Sequence, residues 1–249
     1  MSSKTNYSYV GIAFIILVFG IIFIPKIISR INNDDITRDE SRSENVSNNT
    51  KGTKSDLAYL NIGDKPKKIP TFSFTDQNGK TITNEDYLGK VYVVEFFFTT
   101  CPTICPIMNR NLVSVQNHFK DFENFGVASF TINPEIDTPE VLKAYADAYG
   151  INNPNWHLMT GEEDAIYKLA NEGFNLYTAK DDTVEGGFEH SGNFALIDKE
   201  GYIRSRRDNF GNPLIFYNGL ISEEDGVDDE GIPQEITILK EDIAKLLKE

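Results

Sequence analysis

The chain has 249 residues, 40% of them hydrophobic, which is room for one domain with a real core plus appendages. Its 38 acidic against 24 basic residues leave a formal charge of -14, which keeps a domain soluble, argues against nucleic acid as a partner and suits a partner with basic patches. Two cysteines are too few for a disulfide scaffold, and a chain of this length would not need one.

After a short N-terminal segment (1–8), the run VGIAFIILVFGIIFI (Val10–Ile24) is uncharged and unbroken. As a helix it spans about 22 Å at roughly 1.5 Å per residue, short of a hydrocarbon core of about 30 Å. Tyr7 and Tyr9 on one side and Pro25 to Ile28 on the other extend it, with Lys26 reaching toward headgroups. Neither an A-x-A-like cleavage site nor a cysteine follows, so the expectation is one uncleaved transmembrane anchor over 9–28. Lys4 precedes it and Lys26 and Arg30 follow, so charge bias leaves the orientation open. NNDDITRDESRSENVSNNTKGTKS, from Asn32 to Ser55, buries too little apolar surface to offset chain entropy. Residues 29–61 are therefore expected to form a flexible tether, with the compact domain starting near Ile62 and running to 249.

Within that domain, IPTFSFTDQNGKTIT (Ile69–Thr83) alternates apolar and polar residues about Asn78-Gly79, a hairpin signal. KVYVVEFFF (Lys90–Phe98) and FGVASFTI (Phe125–Ile132) read as strands buried on both faces. Between them Leu112, Val115 and Phe119 are spaced helically. Thr138 caps a helix with Pro139 at its first position and Gly150 at its end. NWHLMTG gives a short strand, EEDAIYKLANEGF a helix, and YTAKDDTVEGGFEHSG a polar excursion. NFALIDKEGYIRSR reads as strand, turn and strand, and ILKEDIAKLLKE as an amphipathic C-terminal helix. The acidic stretch ISEEDGVDDEGIPQ before that helix reads as a solvated loop, with a docking surface for a basic partner as the lesser reading. The fold class is α/β, with helices about a mixed sheet.

The only cysteines, Cys101 and Cys105, stand in FFFTTCPTICPIMNRNL, each followed by proline at a strand-to-helix turn. A helix beginning near Pro102 would bring both sulfurs to one face, with Cys101 ahead of the first turn and the more acidic thiol. That context disfavours two inert core cysteines and leaves a redox pair or a pair of metal ligands. Dithiol oxidoreductases usually place two residues between the cysteines, where this chain has three. Thioredoxin-type enzymes put a cis-proline before the strand facing the cysteines. Here no proline occurs between Pro154 and Pro213, and EHSG with His190 precedes FALID. Two thiolates facing an imidazole make a site suited to Cu(I) that also tolerates Cu(II). Structural zinc generally wants a fourth ligand, and iron–sulfur clusters more cysteines. His118 is expected on a helix flank and His157 as a structural residue at a strand.

TTCPTICPIMNRNL, NPEIDTPEVLKAYADAYG, NWHLMTG and GFEHSGNFALIDKEGYIR together resemble the Sco/SenC copper proteins, over about Ile69 to Tyr217. The resemblance implies a thioredoxin-like fold tethered by one N-terminal helix, and a copper site made of Cys101, Cys105 and His190. It implies a part in assembling the dinuclear copper centre of cytochrome c oxidase, by delivering copper, by reducing the cysteines of the copper-bearing subunit, or both. Other copper chaperones or thioredoxin-like reductants would be further partners, and the domain would face the periplasm from the inner membrane. Two departures stand out: Glu189 where the family usually has Asp before the histidine, and Asn133-Pro134 where it usually has Asp-Pro. The rival reading is a thiol–disulfide oxidoreductase without obligatory copper, Cys101 attacking. A peroxide-reducing enzyme is more remote, because Thr99 and Thr100 lie too close to Cys101 for a Thr-x-x-Cys arrangement.

Overall fold

The β-branched and aromatic run after Lys90 forms the middle strand of the principal sheet, and the rest of the domain is arranged around it. In the computed structural model the described residues are Leu17, Phe19, 55–62, 65–181, 183–208 and 210–249. They belong to two units, Met1–Lys51 and Gly52–Glu249. The expected anchor over 9–28 and most of the tether over 29–61 lie outside the described residues. Leu17 and Phe19 are helical and exposed, and among the described residues no helix is long and apolar enough to cross a membrane.

The second unit opens with three two-residue strands, β1 (Ala58–Tyr59), β2 (Asn61–Ile62) and β3 (Lys65–Pro66). The expected hairpin follows as β4 (Ser73–Asp76) and β5 (Thr81–Thr83), with Thr75 opposite Thr81. Then come β6 (Val91–Phe97), α1 (Cys105–His118), β7 (Phe125–Thr131), α2 (Pro139–Tyr149), β8 (Trp156–Thr160) and α3 (Glu163–Lys168). The chain ends with β9 (Thr178–Lys180), β10 (Phe188–His190), β11 (Asn193–Ile197), β12 (Ile203–Ser205), β13 (Tyr217–Asn218) and α4 (Ile236–Lys248). The principal sheet runs β1-β12-β11-β6-β7-β8-β4-β5, with β13 also pairing β11. β6, β7 and β8 are mutually parallel and the other pairs antiparallel, so the sheet is mixed as expected.

Every residue of β6 and β7 is buried, which is why their sequences show no alternation. Successive side chains still point to opposite faces. Phe96 stacks on Phe130 at 5.4 Å and meets Phe174 at 5.9 Å, whereas Phe97 meets Tyr145 of α2 at 5.6 Å. The segment carrying Phe174 and the helix α2 therefore cover opposite faces. Thr138 caps α2 through its hydroxyl, and Gly150 closes it with φ +71°, a conformation glycine adopts without strain.

Four turns repeat one device, D-x-x-G-x at Asp76, Asp198, Asp208 and Asp228. In each, one carboxylate oxygen accepts from the backbone N–H groups two and four residues on.

Three expectations need correction. The packed domain reaches back past Ile62: Leu57 and Ala58 are buried, and β1 pairs β12. Buried Arg204 fixes that segment, pairing with Asp198 at 3.0 Å and Glu249 at 3.1 Å, donating to the Leu57 carbonyl and lying 4.0 Å from the Tyr59 ring centre. The expected helix after Gly161 is regular only to Lys168 and continues as a π-helical turn, Leu169–Phe174, ended by Asn175 at φ +56°. The acidic stretch after Ile221 is not simply solvated. Glu223 pairs with Lys240 and accepts from Ser114, while Asn111 of α1 donates to the carbonyls of Gly219 and Ile221.

Every buried apolar side chain among the described residues lies between Leu57 and Leu246. Gly52–Glu249 thus has a core of its own, which is what a domain needs to fold by itself.

Candidate metal centre

The first thiol sits just beyond the end of β6, where the chain is tightly held. The Thr99 N–H donates to the Asp137 carboxylate at 3.1 Å, and the Thr99 and Thr131 hydroxyls donate to the same group. Asp137 is fully buried, so it locks the cysteine turn to the loop after β7. The Cys101 N–H then closes a turn onto the Phe98 carbonyl at 3.2 Å.

The helix does not begin near Pro102. Residues 102–104 bend, and α1 starts at Cys105 with Pro106 in its first turn. The reason is steric: a proline inside a helix clashes with the carbonyl four residues earlier, which for Pro106 is that of Pro102. The two sulfurs therefore meet across a bend rather than along one helical face.

The third donor comes from 85 residues further on. The expected polar excursion is in fact a hairpin, β9 paired with β10, and His190 is its last residue, opposite Thr178. Asn171 of the π-helical turn holds β9 by bonding both the N–H and the carbonyl of Thr178, and the Ser191 N–H donates to the Tyr177 carbonyl at 3.0 Å. The imidazole meets Phe98 edge to face at 5.8 Å. Its Nδ1 lies 3.3 Å from the Ser191 carbonyl, which can only accept, so Nδ1 carries the proton. Nε2 is then left with its lone pair, 3.2 Å from the Cys105 sulfur.

The two Sγ atoms and the imidazole nitrogen lie within 4.8 Å of one another, and all three residues are buried. The thiols are strongly unequal. A hydrogen bond from the Cys105 thiol, with others from backbone N–H groups, holds the Cys101 thiol far below its ordinary value against its own burial. Burial, then the hydrogen bond and the charge of Cys101, push the Cys105 thiol far up. Cys101 is thus the more acidic, as its position before the helix suggested, but its sulfur partner contributes more than the helix end. A cavity of about 240 Å³ opens onto Cys101 and His190, lined by Ile104, Val184 and Phe188 and by the carboxylate-bearing residues Glu185 and Glu189.

Behind the donors lies a buried polar layer whose function the sequence reading missed. Asn109 donates to the Cys105 carbonyl and to the Tyr145 hydroxyl, both at 3.0 Å. Glu95 is fully buried and accepts from Ser129 at 2.6 Å, while its other carboxylate oxygen has no partner among the described residues; burial pushes its carboxyl up to about 7. A lone acid inside the apolar run VVEFF was the signal available for it. Glu189 is exposed, and Asn133 is buried with its N–H on the Thr131 hydroxyl at 3.0 Å. His118 is exposed on α1, and His157 is a strand residue paired with Asp76 at 2.9 Å. Neither joins the cysteines.

One ion bonded to two sulfurs and a nitrogen at about 2.0–2.3 Å requires donors no more than about 4.6 Å apart, so shifts of a few tenths of an ångström suffice here. Two soft sulfurs and one neutral imidazole nitrogen, with no third cysteine in the chain, fit copper better than a closed zinc site.

Comparison with known proteins agrees with the architecture. The SCO1/SenC family model matches residues 61–217. The SCO1 protein homolog of Bacillus subtilis (strain 168) is 31% identical over 159 residues, 63% of this chain and 80% of that protein. The crystal structure of a SCO1/SenC family lipoprotein from Bacillus anthracis str. Ames superposes with a TM-score of 0.59 at 29% identity, covering 72% of this chain and 94% of that one. BsSco, a Sco-family cytochrome c oxidase assembly protein in which a disulfide switch was identified, gives 0.58 at 25% identity over 73% and 94%. The matched span contains all three donors and every strand from β2 to β12, and on this footing the chain belongs to the SCO1/SenC family.

Proposed function

We propose that this protein holds copper between Cys101, Cys105 and His190 and passes it to the dinuclear copper centre of cytochrome c oxidase during assembly. The observation that carries this reading is the convergence of two sulfurs and an unprotonated imidazole nitrogen within 4.8 Å, from parts of the chain far apart in sequence. Copper is the cargo. The thiolates favour Cu(I), and the imidazole keeps Cu(II) within reach. Because the cavity beside Cys101 opens to solvent, an acceptor's ligands can replace the three donors in turn. The segment 9–28 anchors the domain to the inner membrane, 29–61 serves as its tether, and the domain faces the periplasm. What supports the anchor is the unbroken apolar run Val10–Ile24, and what supports the location is family membership.

The inequality of the thiols favours a second activity at the same site. The Cys101 thiolate attacks a disulfide on the oxidase subunit, and the Cys105 sulfur, on losing its proton, displaces the resulting mixed disulfide. The partner leaves as a dithiol while Cys101 and Cys105 become the disulfide. One experiment bears on both. Domain 52–249 is titrated with Cu(I) under a competing chelator, and its dithiol potential is measured without metal. Copper custody predicts one ion per chain and at least about tenfold weaker binding for His190→Ala. Unchanged binding in that variant would remove His190 from the site. Feeble copper affinity, with a potential in the range of dithiol reductases, would leave reduction as the main role.

A further inference from the structure

Well away in sequence from the copper donors, the segment 65–74 and the helical stretch 165–173 enclose a cavity of about 690 Å³, within the usual range of small-molecule sites. Its floor is apolar, supplied by the nearly buried side chains of Phe72, Phe74 and Leu169. One wall is the π-helical turn Leu169–Phe174, a geometry rare in helices and frequent beside functional sites. Gly173 lets the turn approach closely, since a Cβ there would lie 2.9 Å from the Pro70 ring.

The charge at this cavity runs against that of the whole chain. Among the described residues Lys65, Lys67, Lys68 and Lys168 line it, with Glu172 as the one acidic residue, in a protein whose formal charge is -14. Lys67 is the unusual member. It is 6% exposed, and its ammonium donates to the Glu172 carbonyl at 3.3 Å and to Asn175 Oδ1 at 3.0 Å, both neutral acceptors. Among the described residues no carboxylate pairs with it, although buried lysines are ordinarily paired. Burial pushes its pKa down, as expected of a cation lacking a counter-charge. Capping the π-helical turn accounts for two of its three N–H donors. It accounts neither for the missing counter-ion nor for the three further lysines around an apolar floor.

We propose that this cavity binds a small amphipathic carboxylate, its head on Lys67 and its hydrocarbon body over Phe72, Phe74 and Leu169. A singly charged head balances the one buried ammonium, while the rim lysines, which are exposed, attract anions to the mouth. The floor has nothing to offer a fully polar anion.

The probe is octanoate, titrated at pH 7 into domain 52–249 by calorimetry and by NMR of the Leu169 methyls, with 1-octanol and acetate as comparisons. The expected result is one saturable octanoate per chain, about tenfold tighter than 1-octanol, with acetate not saturating. Lys67→Met should abolish the preference for octanoate over 1-octanol. Ala165→Trp, at an exposed helical position lining the cavity, should block octanoate while leaving the lysine and the fold intact. Equal affinity for octanoate and 1-octanol would overturn the proposal. So would undiminished octanoate binding in a folded Ala165→Trp domain.

Discussion

Replacing Glu95 by glutamine tests how the interior beneath the cysteines is built. The Glu95 carboxyl is pushed from 4.5 up to about 7, chiefly by burial, with the Ser129 hydroxyl opposing through a hydrogen bond. Between those two values the folded chain keeps a proton that the unfolded chain has lost, so stability falls as pH rises. The fall begins near pH 4.5 and is complete just above pH 7. At roughly 1.4 kcal/mol per unit, the total is about 3 kcal/mol. Glutamine keeps the acceptor for Ser129 and cannot ionise. The absolute stability of Glu95→Gln also depends on how its new N–H groups are satisfied, so the discriminating quantity is the pH slope. Urea unfolding of domain 52–249 at pH 5, 6, 7 and 8 should show the wild type losing about 2.5 kcal/mol more than the variant across that range, the rest of the fall lying below pH 5. Parallel curves for the two proteins would refute a neutral, buried Glu95.

Other consequences follow from single contacts. Alkylation of the metal-free domain at pH 6 should modify Cys101 while Cys105 stays largely unreacted, read by peptide mass spectrometry. Equal labelling would contradict the inequality of the two thiols. Gly219→Ala should cost about 1–3 kcal/mol in urea unfolding, because a Cβ there would lie 2.5 Å from the buried Phe194 ring. Gly201→Ala, where φ is +85° but the nearest atom is an ordinary 3.4 Å away, should cost only about 1 kcal/mol. Arg204→Met should cost about 3–5 kcal/mol, since it leaves Asp198 buried without its partner.

Much of the fold was legible where one local rule decides the outcome. Lys90–Phe98 and Phe125–Ile132 are apolar enough that a central strand is their natural place, and Thr138-Pro139 with Gly150 bracket α2 by side-chain chemistry alone. The three donors could be named because few other residues in the chain could do the work, with two cysteines and three histidines to choose from. What failed needed distant contacts. The helix start moved because Pro106 conflicts with Pro102, a clash between two residues each acceptable alone. The excursion that carries His190 is a hairpin because Asn171 and the Tyr177 carbonyl hold it in place, which no pattern within the excursion reveals. The early start of the domain rests on Arg204, whose partners come from both ends of the packed domain. The D-x-x-G-x turns at Asp208 and Asp228 carry the same local signal as the one at Asn78-Gly79.

The most direct test of copper custody is X-ray absorption at the copper edge of domain 52–249 loaded with one equivalent of Cu(I). Two sulfur neighbours and one nitrogen should surround the metal, with the nitrogen lost in His190→Ala and one sulfur lost in Cys101→Ser or Cys105→Ser. A first shell without sulfur, or one unchanged by all three substitutions, would contradict the assignment.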